Sequence, residues 1–163
     1  MWGGDKVLVL DTRERKITAE IAVGDNPNEL LLTRKGNYLF VANANDNSVS
    51  VIDTKERKVL EVLNAALYPA APAGTTSNGL ALSTNEKTLY VANADNNCLA
   101  VFDVSEPGST RSKGFIPTGW YPTNIKVTGK KYGWPMEKGF PPLPIPMGPA
   151  PQAKGYRHQA PGR

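Results

Sequence analysis

Residues that carry chemistry are scarce in this chain. There is one histidine, His158, and one cysteine, Cys98, among 163 residues. A single cysteine excludes an intrachain disulfide. Metal-assisted hydrolysis needs several His, Asp or Glu ligands converging on an ion, and a lone histidine in a proline-rich tail does not provide them. No apolar run approaches the roughly 20 residues that span a bilayer, and no secretory leader is legible. There is no nucleophile elbow, phosphate-cradling glycine loop or dinucleotide fingerprint. Gly24-Asp25-Asn26-Pro27-Asn28 places one glycine ahead of an apolar run, not a glycine loop that opens a helix. No amphipathic helix of ordinary length is visible. The net charge of +4 is uneven: residues 1–128 hold thirteen Lys/Arg against fourteen Asp/Glu, and residues 129–163 hold six basic residues against Glu137 alone. The near-neutral body lacks the electrostatic footprint of nucleic-acid binding.

What the chain does have is a copy of itself. Phe40-Val41-Ala42-Asn43 returns fifty positions later as Tyr90-Val91-Ala92-Asn93. At the same offset Leu30-Leu31-Leu32-Thr33 becomes Leu80-Ala81-Leu82-Ser83, Val51-Ile52-Asp53 becomes Val101-Phe102-Asp103, Gly24 becomes Gly74 and Asn28 becomes Asn78. A partial copy opens the chain, Val7 to Thr12 matching Val49 to Thr54. Another closes it, Tyr121 to Thr128 matching Asn26 to Thr33. The Pro/Ala stretch around 68–73 accounts for the longer second interval and reads as a surface loop.

Each unit holds four short apolar runs bounded by polar turn residues. In the second unit they are Leu80–Ser83, Thr88–Asn93, Leu99–Val104 and Gly114–Pro117. Runs of this length, rich in Val, Ile, Tyr and Phe, predict strands. Asn and Asp in the connections at 44–47 and 94–97 suit tight turns. These turns are too short for a calcium loop and lack its late bidentate Glu. Four antiparallel strands recurring every forty to fifty residues predict an all-β, incomplete β-propeller of about three blades.

The paired FVAN and YVAN segments and the Val51-Ile52-Asp53-Thr54 run resemble the YVTN-type β-propeller repeats, over about residues 6–128. A narrower resemblance rests on Ala71 to Leu82 and on Gly114 to Thr123. It is to bacterial proteins in which such a propeller precedes an alkaline-phosphatase-like, metal-dependent phosphoesterase domain. This implies an extracytoplasmic parent, periplasmic or secreted, with no catalytic, cofactor or metal residue carried over to this chain.

The expected organisation is a propeller segment over 1–128: a partial blade at 5–25, blades at 26–70 and 75–118, and the first strand of another at 121–128. A Pro/Gly-rich basic linker or tail follows at 129–163, with eight Pro and six Gly. Pro141 to Pro146 is expected to be extended and excluded from any ladder. About eleven strands do not close a ring, so the chain reads as a fragment with open strand edges that invite association.

Asp11, Asp53 and Asp103 recur in phase and are expected to accept turn N–H groups. Asn43 and Asn93 are expected to stabilise turns. Cys98, in phase with Ser48, is expected to be a small strand residue. The candidate contact residues are Asn28, Asn78, Trp120, Tyr121 and Asn124, in segments entering the first strand of each blade, where a propeller borders its channel. Trp and Tyr there offer contact area with polar tips. The functional expectation is a non-catalytic binding scaffold, docked on a phosphoesterase domain or another protein. The alternatives are a lactonase-like propeller hydrolase or a self-assembling subunit.

Overall fold

A computed structural model describes residues 4–68, 71–74, 76–129, 131–133 and 145–146. These residues contain strands and turns and no helix. The strands are β1 (Lys6–Asp11), β2 (Lys16–Ala22), β3 (Pro27–Leu32), β4 (Tyr38–Asn43), β5 (Ser48–Asp53), β6 (Lys58–Asn64), β7 (Ser77–Leu82), β8 (Thr88–Asn93), β9 (Cys98–Asp103), β10 (Arg111–Pro117), β11 (Lys126–Thr128), β12 (Lys131–Gly133) and β13 (Ile145–Pro146). They form four antiparallel meanders: β1-β2, β3-β4-β5-β6, β7-β8-β9-β10 and β11-β12-β13.

The turns explain why the strands end where they do. Asp11 Oδ1 accepts the N–H groups of Arg13 and Glu14 at 2.8 and 3.0 Å. Asp53 Oδ1 does the same for Lys55 and Glu56, both at 2.8 Å. Asp103 Oδ1 takes the N–H and hydroxyl of Ser105 at 3.1 and 2.7 Å. Each carboxylate closes the turn that follows its own strand, β1, β5 or β9, as expected for a residue that bonds its own backbone downstream. Left-handed residues also recur in phase: Arg15 with Arg57, Gly36 with Glu86, Asn47 with Asn97, and Asn26 with Thr76 and Tyr121.

The sheets face one another. β3 lies beside β7 and β7 beside β11, while β2 lies beside β6. First strands therefore meet first strands and last strands meet last strands, which is the radial arrangement of propeller blades. Three apolar layers fill the gaps. Val7 and Ile21 meet Val41 and Ile52; Phe40, Val49 and Val51 meet Leu80, Leu89 and Phe102; Tyr90, Leu99 and Val101 meet Ile125. Alternation along each strand sends successive side chains to opposite faces, so both faces of a middle sheet must be apolar. Truncating Leu89 or Leu99, both fully buried, costs about 2–5 kcal/mol by the usual core-cavity rule.

Three local expectations are corrected. The fourth strand of the second blade starts at Arg111, not Gly114. The strand expected over 121–128 is confined to Lys126–Thr128, because Tyr121 turns left-handed and the Ile125 N–H is taken by Asn124 Oδ1 at 2.6 Å. The fourth sheet, β11-β12-β13, also continues past it: β12 and β13 fall in the stretch expected to be a tail, and Pro146 pairs with Lys131. β13 is an edge strand, where proline's missing N–H costs no ladder bond. His158, Pro69, Ala70, Trp134 and Pro135 lie outside the described residues.

Candidate functional site

The site is the end of the blades where first strands begin and second strands turn into third strands. It comprises the segments 24–28, 76–78 and 119–124 with the turns 44–47 and 94–97. The same scaffold recurs. Asn26 and Thr76, both at φ 53°, present their carbonyls to the N–H groups of Ala44 and Ala94, each at 3.1 Å. Asp46 Oδ2 accepts the Asp25 N–H at 2.6 Å, and Asp25 Oδ2 accepts from Asn45 Nδ2 at 3.1 Å. Asp95 Oδ2 accepts the Thr76 hydroxyl at 2.6 Å. Gly24 has no room for a side chain here: a Cβ would lie 2.3 Å from Asp46 Oδ2 and 2.7 Å from Asn43 Nδ2.

Beneath these turns sit Asn43 and Asn93, both wholly buried. They do more than stabilise turns. Asn93 accepts the Ser77 hydroxyl at 2.9 Å and donates to the Ala65 carbonyl at 2.6 Å, which ties its blade to the preceding one. Asn43 donates to the hydroxyls of Ser48 and Ser50 at 2.9 and 3.0 Å, and its Oδ1 has no partner. The difference has a clear cause. Pro27 stands where the repeat has Ser77, so the hydroxyl that would serve Asn43 is missing. Cys98 is buried beside Asn93; burial pushes its thiol up, and the hydrogen bond with Asn93 opposes this only in part. It is a structural thiol, not an activated one.

The five predicted contact residues divide. Asn28 and Asn78 lie within β3 and β7, not in the loops before them. Each is the extra residue of a β-bulge, since the register shifts between Pro27 and Glu29 and again between Ser77 and Gly79. Asn28 is exposed; Asn78 is half-buried with an unpartnered buried Oδ1. Trp120 is 62% exposed. Tyr121 is half-buried at φ 51°, held by its N–H to Asn97 Oδ1 at 2.8 Å, while Asn97 O accepts the Thr118 N–H at 2.8 Å. Asn124 is exposed and its Cα lies 3.0 Å from the Cβ position of Gly79, so β7 and the third blade's entry segment touch.

Glu29 was not singled out from sequence. It is the one carboxylate on the first strands β3, β7 and β11. It is half-buried, and burial pushes its carboxyl up while the Leu80 N–H that it accepts pulls the other way. The signal was present in the sequence as a lone acid inside an apolar run, at the position where the next repeat has Gly79. A separate cleft of about 400 Å³ is lined by the β4–β5 turn and the end of β6, with Asp46, Asn47, Asn64, Val62, Ala71 and Ala73 in its walls. Among the described residues no group of three or more His, Cys, Asp or Glu is placed to hold a metal.

Known proteins agree with this geometry. The protein-family model described as lactonase, 7-bladed beta-propeller, matches residues 3–131. No curated protein matches the chain. Among solved structures the chain is similar to hydrazine synthase of Kuenenia stuttgartiensis, with a TM-score of 0.67 and 26% identity over 81% of this chain and 36% of that one. It is also similar to a proposed 6-phosphogluconolactonase of Bacteroides uniformis (TM-score 0.68, 20% identity, 83% of this chain and 42% of that one). A proposed 6-phosphogluconolactonase of Bacteroides fragilis gives 0.66 and 19%, over 81% and 42%. The chain thus spans well under half the length of these structures. With a family model matched over most of its length and blades in the same radial order, the chain belongs to the seven-bladed β-propeller lactonase family.

Proposed function

We propose that the chain is an arc of a lactonase-like propeller hydrolase, which opens cyclic esters by adding water, and that Glu29 is the general base on this arc. The observation that carries the reading is the family match over residues 3–131. Glu29 gives it a chemical residue: a half-buried carboxylate on a first strand, held by the Leu80 N–H, next to a bulge that displaces Asn28. Bulges of this kind re-aim side chains at functional sites. In the reaction the carboxylate takes a proton from water as the oxygen attacks the ring carbonyl carbon. The ring C–O bond then breaks, the proton passes to the leaving alkoxide, and an open-chain hydroxy acid results. An acid with a raised pKa is suited to both transfers. The names of the Bacteroides structures make sugar-acid lactones the first substrates to test.

A second reading is the non-catalytic scaffold, in an exported parent with a phosphoesterase domain. It draws on Trp120, which is 62% exposed. Turnover by the purified protein on a panel of lactones and phosphoesters separates the two. Lactone opening that is lost in Glu29→Gln with the fold retained supports the hydrolase. Failure to open any lactone refutes it, and turnover of neither lactone nor phosphoester by this chain is the outcome the scaffold reading expects.

A further inference from the structure

The connector from sheet β3–β6 to sheet β7–β10 departs from the one that follows it. Both start from the same bond: the Ala65 N–H donates to Asn47 O and the Thr118 N–H to Asn97 O, each at 2.8 Å. Both end at a left-handed residue, Thr76 or Tyr121. Three positions separate Thr118 from Tyr121, but eleven separate Ala65 from Thr76. In the short connector Asn97 Oδ1 accepts the Tyr121 N–H at 2.8 Å and closes the loop onto the turn. In the long one Asn47 Nδ2 donates to the Pro72 carbonyl at 2.7 Å. That bond holds the longer loop beside the end of its sheet, and the cleft of about 400 Å³ lies between them.

The walls are as particular to this blade as the loop. Ser48 pairs with Asn64 and Ser50 with Val62, so Ser48, Asn64 and Val62 share one face of the sheet. The Ser48 hydroxyl accepts from Asn43 Nδ2 at 2.9 Å, which leaves its proton to donate. Asn64 Oδ1 accepts the Ala66 N–H at 2.8 Å, which leaves its Nδ2 to donate. Asp46 takes the Asp25 N–H on Oδ2, and it is the one charged side chain among the described residues that line the cleft. At the corresponding places sheet β7–β10 has Asn96, Cys98, Pro117 and Phe115. Charge, hydroxyl and strand-end amide are all gone there. A set needed only to fold the blade would recur with the repeat.

We propose that this cleft binds a small amino polyol, of the class of a protonated amino monosaccharide. The ammonium bonds to the Asp46 carboxylate, a charge-assisted contact. Ligand hydroxyls accept from Ser48 Oγ and Asn64 Nδ2. The C–H face of the ring lies on Val62, a side chain 60% exposed, with Ala71 and Ala73 in the same walls. The volume falls in the range of small-molecule sites, about 300–1,000 Å³, and small apolar walls with a few polar groups are what such sites carry. A carboxylate with no cation beside it in the walls also selects against anions. The hydroxy acids released by lactone opening are therefore poor ligands, and the cleft is not a product site for the reaction assigned to Glu29.

The test titrates the full chain with glucosamine, glucose and gluconate below neutral pH, where the amine is protonated, and follows backbone amides by two-dimensional NMR. Glucosamine should give saturable shifts at Asn47, Asn64 and Ala73, glucose weaker ones, and gluconate none. Asp46→Asn keeps an oxygen for the Asp25 N–H and should weaken glucosamine binding by about tenfold or more. Ala73→Phe, at an exposed position of the loop, should fill the cleft and abolish the shifts with the thermal midpoint unchanged. The proposal is overturned if glucosamine gives no saturable shift at these amides, or if gluconate binds as well as glucosamine. It is equally overturned if Asp46→Asn binds glucosamine as tightly as the parent chain, or if a folded Ala73→Phe still does.

Discussion

Asn93→Ala tests how blade is fastened to blade. The side chain is wholly buried, and it is the partner of the Ser77 hydroxyl and the Ala65 carbonyl, both in residues with no exposed surface. Its removal strands one donor and one acceptor in the interior. Each unsatisfied buried group costs about 1–3 kcal/mol, so the variant should lose about 2–6 kcal/mol, a large part of a domain's usual stability. Asn43→Ala at the equivalent position should lose only about 1 kcal/mol. The hydroxyls of Ser48 and Ser50 can rotate to new partners, and the variant also removes the unpartnered Oδ1. Urea unfolding of both variants at one protein concentration gives the comparison, and a double-mutant cycle with Ser77→Ala isolates the Asn93–Ser77 term. An Asn93→Ala loss under about 0.5 kcal/mol, or a larger loss in Asn43→Ala, would refute the reasoning.

Pro27→Ser should restore the hydroxyl that Asn43 lacks and stabilise the chain by about 0.5–1.5 kcal/mol in the same assay. Gly24→Ala should be destabilising by over about 1 kcal/mol, since its Cβ would collide with Asp46 and Asn43. For pH, the two kinds of acid act in opposite directions. Glu29 binds its proton more tightly folded than unfolded, so its contribution is present at low pH and is lost as pH rises through the glutamate range. Melting curves of Glu29→Gln across that range should lack this decline. Asp11 is held below the usual carboxylate range by the Glu14 and Arg13 N–H groups, and Asp103 by the Ser105 hydroxyl and N–H and by Lys113. Their contributions are present above that range and disappear on acidification, so Asp11→Asn should flatten the acid limb of the same curves. Cys98 should resist alkylation in the folded chain and react once urea unfolds it, as a thiol count with time would show.

The blades were legible because strands of this kind announce themselves twice, by alternation and by recurrence. Val51-Ile52-Asp53 and Val101-Phe102-Asp103 hold the same place in both sheets, and their aspartates close the turns as their spacing implied. What escaped depended on contacts between blades. The link from Asn93 to Ala65 joins residues that no local pattern pairs, and Glu29 gains its interest only from the Leu80 N–H of the next sheet. The third blade was underestimated for another reason. Its strands are three residues or fewer, and Pro146 sits at an edge where the exclusion of proline does not apply. The bulges at Asn28 and Asn78 were hidden as well, because the extra residue differs from its neighbours only in register. The family match favours the hydrolase that sequence reasoning kept as its alternative.

The central claim is that successive sheets stand side by side with their first strands in contact. The most direct measurement is the nuclear Overhauser contact between the α-protons of Gly79 and Asn124, residues forty-five positions apart whose backbones meet at the Gly79 Cβ position, 3.0 Å from Asn124 Cα. The account predicts a strong cross-peak, accompanied by one from the Glu29 side chain to the Leu80 amide. Their absence from a folded spectrum, or contacts placing β7 against a last strand instead, would contradict it.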